Sequence, residues 1–257
     1  MKQKYLLRIS KIIFLFILTL IYSNSTYGQD TDLFISEYSE GSSNNKYVEI
    51  YNGTGANVNL SNYQLWRISN GGNWPYATIS LSGTLAKGDV YVVYNGSSVS
   101  TISNNGDLAS SIIIFNGDDA FGLAKTDGIS GFTLIDGVGE DGSDPGTGWA
   151  VAGITNATKD HTLVRKLSVT SPNNDWDESR GTDASDSEWI VYAKDTWTNI
   201  GYHGATWTGA SNTDWATAGN WDSGVPSNSN NVTVPDVANA PIIGATTGAV
   251  TNDLTIT

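Results

Sequence analysis

Short runs of strand-forming residues, divided by turn residues, recur along most of this chain. Runs rich in β-branched or aromatic residues alternate with Gly, Asn and Asp, and they lie at 33–39, 46–52, 63–69, 77–83, 90–95, 111–116, 120–125, 132–139, 161–167 and 188–194. After the N-terminal segment, we find no long stretch with the apolar period of a helix. Many short strands at this spacing predict an all-β fold, a sandwich or a barrel.

The first 28 residues predict a secretory signal peptide. Four basic residues accompany the apolar run 12–22, and small and polar residues follow it. The apolar run is short for a membrane span, which needs about 20 residues. We therefore expect removal of 1–28 and a secreted or cell-surface protein without a membrane segment. The alternative is a tilted N-terminal anchor.

The predicted mature chain is strongly acidic. Without the four basic residues of the signal peptide, 9 Lys and Arg stand against 26 Asp and Glu, a net charge of −17. Such a surface repels phosphate backbones, so we expect no nucleic-acid partner. The absence of cysteine excludes disulfides, thiolate zinc sites and cysteine nucleophiles. His161 and His203 are too few for a three-histidine metal site, and we interpret both as structural.

One carboxylate lies inside a strand-forming run and raises the question of its role. In "NKYVEIYNGTG" (45–55), alternation places Val48 and Ile50 on one face and Glu49, with its flanking tyrosines, on the other. A buried or half-buried carboxylate persists only when it is paired. We therefore interpret Glu49 first as structural, with a catalytic acid or a metal ligand as the alternatives.

A series of short motifs, in the order of the family, resembles the lamin-tail domain. They begin with "ISE", "YVEIYN" and "VNLSNYQL", continue with "LAKGDVYVVYN", "FNGDDAFGLAKTDG" and "FTLIDGVG", and close with "TLVRK", "DWDESRG" and "SEWIV". The resemblance covers about 32–203. It implies an immunoglobulin-like antiparallel sandwich over 30–204, no shared catalytic residues, and the role of an accessory module in secreted bacterial proteins.

The resemblance also implies a role for two carboxylates. Glu37 and Glu49 fall on the recurrent acidic positions of "ISE" and "VEIYN", which implies a structural role for both. On adjacent antiparallel strands they could face each other, which would favour a shared cation or arginine partner. The candidate partners in this chain are Arg67, Arg165 and Lys46.

The composition changes near residue 204. Trp207, Trp215 and Trp221 follow in a segment rich in Asn, Ser, Gly and Thr. This segment resembles a Trp-rich motif that opens β-rich modules of large secreted adhesin-like proteins. We predict a second β-module over 205–257 that is cut short at Thr257, in the middle of a strand-like run.

Four aromatic residues lie in or beside Gly- and Asn-rich segments and could stack on carbohydrate. They are Trp66, Trp74, Tyr76 and Trp149, and the segment "NGGNWPY" (70–76) is the most loop-like. The alternative is that these rings cover the sandwich core. Trp176, Trp189 and Trp197 occur in the closing motifs, and we interpret them as packing residues.

An acidic, glycine-rich segment is a candidate calcium site. "DGVGEDGSDPGTG" (136–148) carries Asp136, Glu140, Asp141 and Asp144. Calcium binds oxygen ligands on flexible loops, but the spacing of an EF-hand loop is missing here. The alternative is a solvated acidic loop. No other cofactor is expected.

The sequence thus favours a secreted, non-enzymatic β-sandwich that acts as a spacer, adhesive or targeting unit of a larger extracellular protein. Its expected partners are other domains of that protein, extracellular polysaccharide or cell-surface components. One alternative is a carbohydrate-binding or carbohydrate-cleaving protein. Another is the accessory part of a secreted nuclease or other hydrolase whose catalytic domain is absent here.

Overall fold

The computed structural model describes residues 31–129, 131–221, 224–226, 230–243, 249–251 and 253–257. The predicted signal peptide, 1–28, lies outside these residues. Among the described residues, no helix has the length and apolar character needed to cross a membrane.

The predicted all-β sandwich is confirmed, with strands that follow most of the sequence runs. Their bounds are β1 (Phe34–Glu40), β2 (Lys46–Tyr51), β3 (Val58–Asn59), β4 (Tyr63–Ile68), β5 (Ala77–Ser80), β6 (Thr84–Leu85), β7 (Val90–Tyr94), β8 (Leu108–Ala109), β9 (Ala120–Thr126), β10 (Phe132–Val138), β11 (His161–Arg165) and β12 (Trp189–Ala193). Two short helices, α1 (Ser100–Ser103) and α2 (Trp176–Arg180), lie between strands, and Leu60–Asn62 forms a 3₁₀ turn.

Two sheets form the sandwich. One has six strands in the order β12-β11-β1-β2-β7-β8, and the other has four in the order β10-β9-β4-β5. Pairing is antiparallel except between β7 and β8. Strands β3 and β6 form a separate pair.

The core lies between the two sheets, and the predicted alternation places residues in it. Val48 and Ile50 are buried there against side chains of the four-stranded sheet such as Leu65 and Phe121. Strand β1 is buried along its whole length because its other face is covered as well.

One predicted strand is wrong. The run 111–116 is a turn followed by irregular backbone, in which Ile113 donates its N–H to the carbonyl of Ser110. Ile113 and Phe115 nevertheless reach the core. The apolar pattern therefore predicted the burial of these two residues correctly. The segment covers the core, however, without pairing in a sheet.

Residues 194–203 lie over the outer face of the six-stranded sheet, and we call them the covering segment. Ile200 and Trp197 pack there with Tyr47 and with Ile102 of α1. At the end of the segment, the His203 ring lies 4.5 Å from the ring of Tyr51, centroid to centroid. The sandwich is therefore closed on this side by residues near its C-terminal end.

Beyond the covering segment, three short strands form a parallel sheet. They are β13 (Gly204–Thr206), β14 (Asn231–Val234) and β15 (Asp253–Ile256), in that order. Trp207, Trp215 and Trp221 form a cluster of their own, with ring centroids 4.7–6.4 Å apart. The Asn231 amide donates to the carbonyl of Gly88 at 2.6 Å, which ties this sheet to the sandwich.

Candidate functional site

Glu37 and Glu49 face each other directly across β1 and β2, as predicted. A register shift between Ile35 and Glu37 makes Ser36 an extra residue, and this bulge turns Glu37 to the same side of the sheet as Glu49. Glu37 is 1% exposed and Glu49 is 0% exposed. Both carboxyl groups are therefore sealed between the sheet and its cover.

Hydroxyl and backbone donors bind this carboxyl pair. Tyr47 donates its hydroxyl to Glu37 at 2.6 Å. Ser36 donates its hydroxyl to Glu49 at 2.7 Å, and the N–H of Gly201 in the covering segment donates to the other Glu49 oxygen at 2.7 Å. One oxygen of Glu37 has no hydrogen-bond partner among the described residues.

The prediction of a cation partner for the pair is wrong for all three candidates, because each of them forms an ion pair with another carboxylate. Lys46 pairs with Glu40, and Arg67 pairs with Asp119 at 3.2 Å. Arg165 pairs with Asp136 and with Glu188.

Burial without a cation raises the pKa of both carboxyl groups. The pKa of Glu37 lies well above its ordinary value, through loss of solvation and then through the charge of Glu49. Loss of solvation also raises the pKa of Glu49 to about 7, although the bonds from Ser36 and Gly201 act in the opposite direction. The pair therefore retains a proton at neutral pH and is closed to any substrate.

The structure does not bring the four candidate calcium ligands together. Glu140, Asp141 and Asp144 are exposed on a loop, whereas Asp136 is a fully buried residue of β10. Among the described residues, no group of three or more His, Cys, Asp or Glu side chains is placed to hold a metal ion. The assignment of Asp136 to an acidic loop is wrong, and calcium binding by the other three stays a prediction.

Asp136 and Arg165 form a buried link between the sheets that the motif analysis missed. Asp136 accepts hydrogen bonds from Arg165 and from the backbone N–H groups of Ile35, at 2.6 Å, and Asn173, at 2.9 Å. The Arg165 guanidinium lies 4.3 Å from the centroid of the Trp189 ring. The sequence did contain a signal, since Asp136 and Arg165 each interrupt an apolar strand.

Three of the four candidate aromatic residues share one surface. Trp66 on β4 pairs with Thr78 and Gly122, and its ring is on the side away from the core residue Leu65. The Trp74 ring covers Gly122, where an added Cβ would meet it at 3.3 Å. Tyr76 is 73% exposed and precedes Thr78 by two residues, so alternation puts it on the same side.

We call this outer surface of the four-stranded sheet the aromatic face, defined by Trp66, Trp74 and Tyr76. Trp149 is not part of it, because it is 8% exposed and packs edge-on against Trp176 at 6.4 Å. We therefore reassign Trp149 from a candidate ligand contact to a residue of the core.

A backbone bridge joins the aromatic face to the acidic loop. Gly72 donates to the carbonyl of Gly142 at 2.9 Å, and Gly142 donates back to Gly72 at 2.7 Å. The two segments that the sequence presented separately, 70–76 and 136–148, therefore meet at one edge of the sandwich. Sequence reasoning did not find this contact, because no pattern in either segment specifies the other.

Comparisons with known proteins agree with the architecture. Residues 28–141 match the sequence model of the Lamin Tail Domain family. No curated protein and no solved structure matches the chain. The match ends before β11 and β12, which complete the six-stranded sheet. Residues 28–141 are therefore similar to the Lamin Tail Domain family, and the described part of this range lies in the immunoglobulin-like sandwich.

Proposed function

We propose that this chain is a non-catalytic module of a larger extracellular or cell-surface protein, in which a rigid sandwich presents a surface to a partner. The module serves as a targeting or adhesive unit and as a spacer between other domains. Secretion rests on the predicted signal peptide, 1–28, and on the net charge of −17 without it.

The observation that carries this proposal is the burial of Glu37 and Glu49. A pair of acids in a glycosidase needs a cleft that admits a sugar ring between its carboxyl groups. Here the pair is covered on one side by the core and on the other by the covering segment. Glu49 binds the covering segment through Gly201, and Glu37 binds Tyr47 of β2, which suits a role in stability.

A second observation supports the same proposal. The buried basic side chains of the sandwich, Lys46 and Arg165, are each paired with a carboxylate inside the fold. Each of these side chains neutralises a buried carboxylate, and burial keeps both away from a ligand. The exposed parts of the sandwich are loops and the aromatic face, which suit recognition.

The test is expression of the full chain in a bacterium with a general secretion pathway. We expect the protein outside the cytoplasm with a new N-terminus near Gly28, determined by mass spectrometry. We also expect no turnover when the purified protein is incubated with polysaccharides, DNA and peptides. Retention of 1–28, or turnover that is lost in Glu37→Gln or Glu49→Gln, would overturn the proposal.

A further inference from the structure

The geometry points to the aromatic face as a binding site for a neutral polysaccharide chain. This inference rests on the proposed function, because it names the ligand class that the module would recognise. Trp66, Trp74 and Tyr76 would stack on the apolar C–H faces of successive sugar rings, in the way that aromatic rings cover flat apolar groups.

The sheet beneath the rings carries small residues that larger side chains cover. Gly122 and Ala124 of β9 lie beside β4, bring little or no side chain to this side of the sheet and are themselves buried, so a ligand would meet the rings and not the backbone of β9. Since an added Cβ at Gly122 would be only 2.3 Å from a methyl group of Leu134 and 3.3 Å from Trp74, any larger residue there would displace both side chains. Glycine at this position therefore allows the Trp74 ring to pack directly on β9.

Polar groups without charge lie next to the rings. Thr78 and Ser80 are exposed on β5, opposite Trp66 and Gln64 respectively. The amide oxygen of Gln64 already accepts from the Trp66 indole at 2.9 Å, which leaves its NH₂ group as a donor. Hydroxyl and amide groups of this kind bind sugar hydroxyls and fix the orientation of a stacked ring.

The charges at the edge of the aromatic face indicate that the bound polysaccharide is neutral. The bridge between Gly72 and Gly142 brings the loop of exposed Glu140, Asp141 and Asp144 to this edge. Carboxylates there repel uronate or sulfate groups, and no Lys or Arg is among the residues that define the aromatic face. Arg180, which lies near Glu140, pairs with Asp177. We therefore expect neutral chains to bind and polyanionic chains to be excluded.

The experiment is affinity electrophoresis of the purified protein in gels that contain a β-glucan, a mannan or a xylan, with polygalacturonate as the anionic probe. At least one neutral polymer should retard the protein and quench its tryptophan fluorescence, and polygalacturonate should do neither. Tyr76→Ala and Trp66→Ser should weaken the binding about tenfold or more, whereas Tyr76→Phe, which keeps the ring, should retain it.

Ile129→Ala is the matched control, because Ile129 is an apolar residue that is 93% exposed on the turn between β9 and β10. A second control is Ile114→Ala, which alters a cavity of about 350 Å³ that Ile114 lines with Asn44 and Arg67. The thermal midpoint of each variant shows whether it is folded.

Two results would overturn the site. One is the absence of retardation by every neutral polymer, and the other is a loss of binding in Ile114→Ala with none in Tyr76→Ala. Neither result bears on the new N-terminus or on the absence of turnover, which test the proposed function separately.

Discussion

At the scale of single residues, one extra residue in β1 decides what two carboxylates do. Without the bulge at Ser36, strict alternation would put Glu37 on the same face as Ile35, inside the main core. With it, Glu37 faces Glu49 under the covering segment, and Ser36 supplies a hydroxyl donor to Glu49. The pair survives burial because it can hold a proton, and no cation is needed.

The pair predicts a dependence of stability on pH. The folded-state pKa values of Glu37 and Glu49 are raised, for Glu49 to about 7, so the folded protein binds more protons than the unfolded chain above pH about 4.5. The contribution of the pair to the free energy of unfolding is therefore complete below pH about 4.5 and is lost as the pH rises through about 7.

Glu37→Gln tests this dependence. It keeps the acceptor for Tyr47 and removes a buried charge with an unpartnered oxygen, so we expect about 1–3 kcal/mol of added stability at pH 8. The measurement is urea unfolding at pH 5 and pH 8. Glu49→Gln is the matched comparison and should gain less, because its NH₂ group would face the donor of Ser36 or Gly201. An unchanged pH profile in Glu37→Gln would contradict this account.

Arg165 gives a second prediction at this scale. Arg165→Met leaves Asp136 as a buried charge without its cation, so we expect a loss of about 3–5 kcal/mol in the free energy of unfolding. The double variant Arg165→Met with Asp136→Asn should recover part of this loss, since the uncompensated charge is gone. A double-mutant cycle in urea measures the coupling, and strictly additive effects would contradict a direct interaction.

At the scale of elements, the sandwich extends past the part that matches the family. Strand β11 pairs with β1 in the middle of the six-stranded sheet, and β12 follows on its outer side. These strands contribute Leu163 and Trp189 to the main core, and the covering segment then buries the opposite face. The burial and pairing of β1 therefore depend on the C-terminal part of the sandwich, which supplies β11 and the covering segment.

A truncation tests this requirement. A fragment of residues 30–141 should fail to fold, because β1 would lose the strand beside it and both sides of its apolar surface would be exposed. A fragment of residues 30–204 is the control and should unfold cooperatively. Circular dichroism and limited proteolysis distinguish the two, and a protease-resistant 30–141 fragment would contradict the role assigned to β11 and β12.

At the scale of the whole molecule, charge is distributed unevenly between interior and surface. Several of the few basic residues are used in buried or half-buried ion pairs, including Lys46, Arg67 and Arg165. Most of the acidic excess is therefore left at the surface, where like charges repel one another and favour expansion of the chain.

This distribution predicts stabilisation by salt. An increase from about 10 mM to about 200 mM NaCl should raise the thermal midpoint, because the screening length then falls from about 30 Å to below 10 Å. Choline chloride should have the same effect. CaCl₂ at matched ionic strength should exceed both if Glu140, Asp141 and Asp144 bind calcium. A midpoint that falls with NaCl would show that attractive pairs dominate the surface.

The sequence by itself determined the fold class, most strand positions and the shared face of Val48 and Ile50, because these depend on local patterns of apolar and turn residues. It also indicated that Glu37 and Glu49 face each other. Only the tertiary structure decided the partners of those carboxylates, since a bulge and a covering segment about 150 positions away set them.

The same distinction applies to the candidate site. The sequence identified Trp66, Trp74, Tyr76 and Trp149 as a class, since aromatic residues near Gly-rich turns are recognisable locally. It could not separate Trp149, which is buried by contacts with Trp176, from the exposed Tyr76 and the half-buried Trp66 and Trp74. Exposure depends on which distant segments pack over a residue, and that is a property of the folded chain alone.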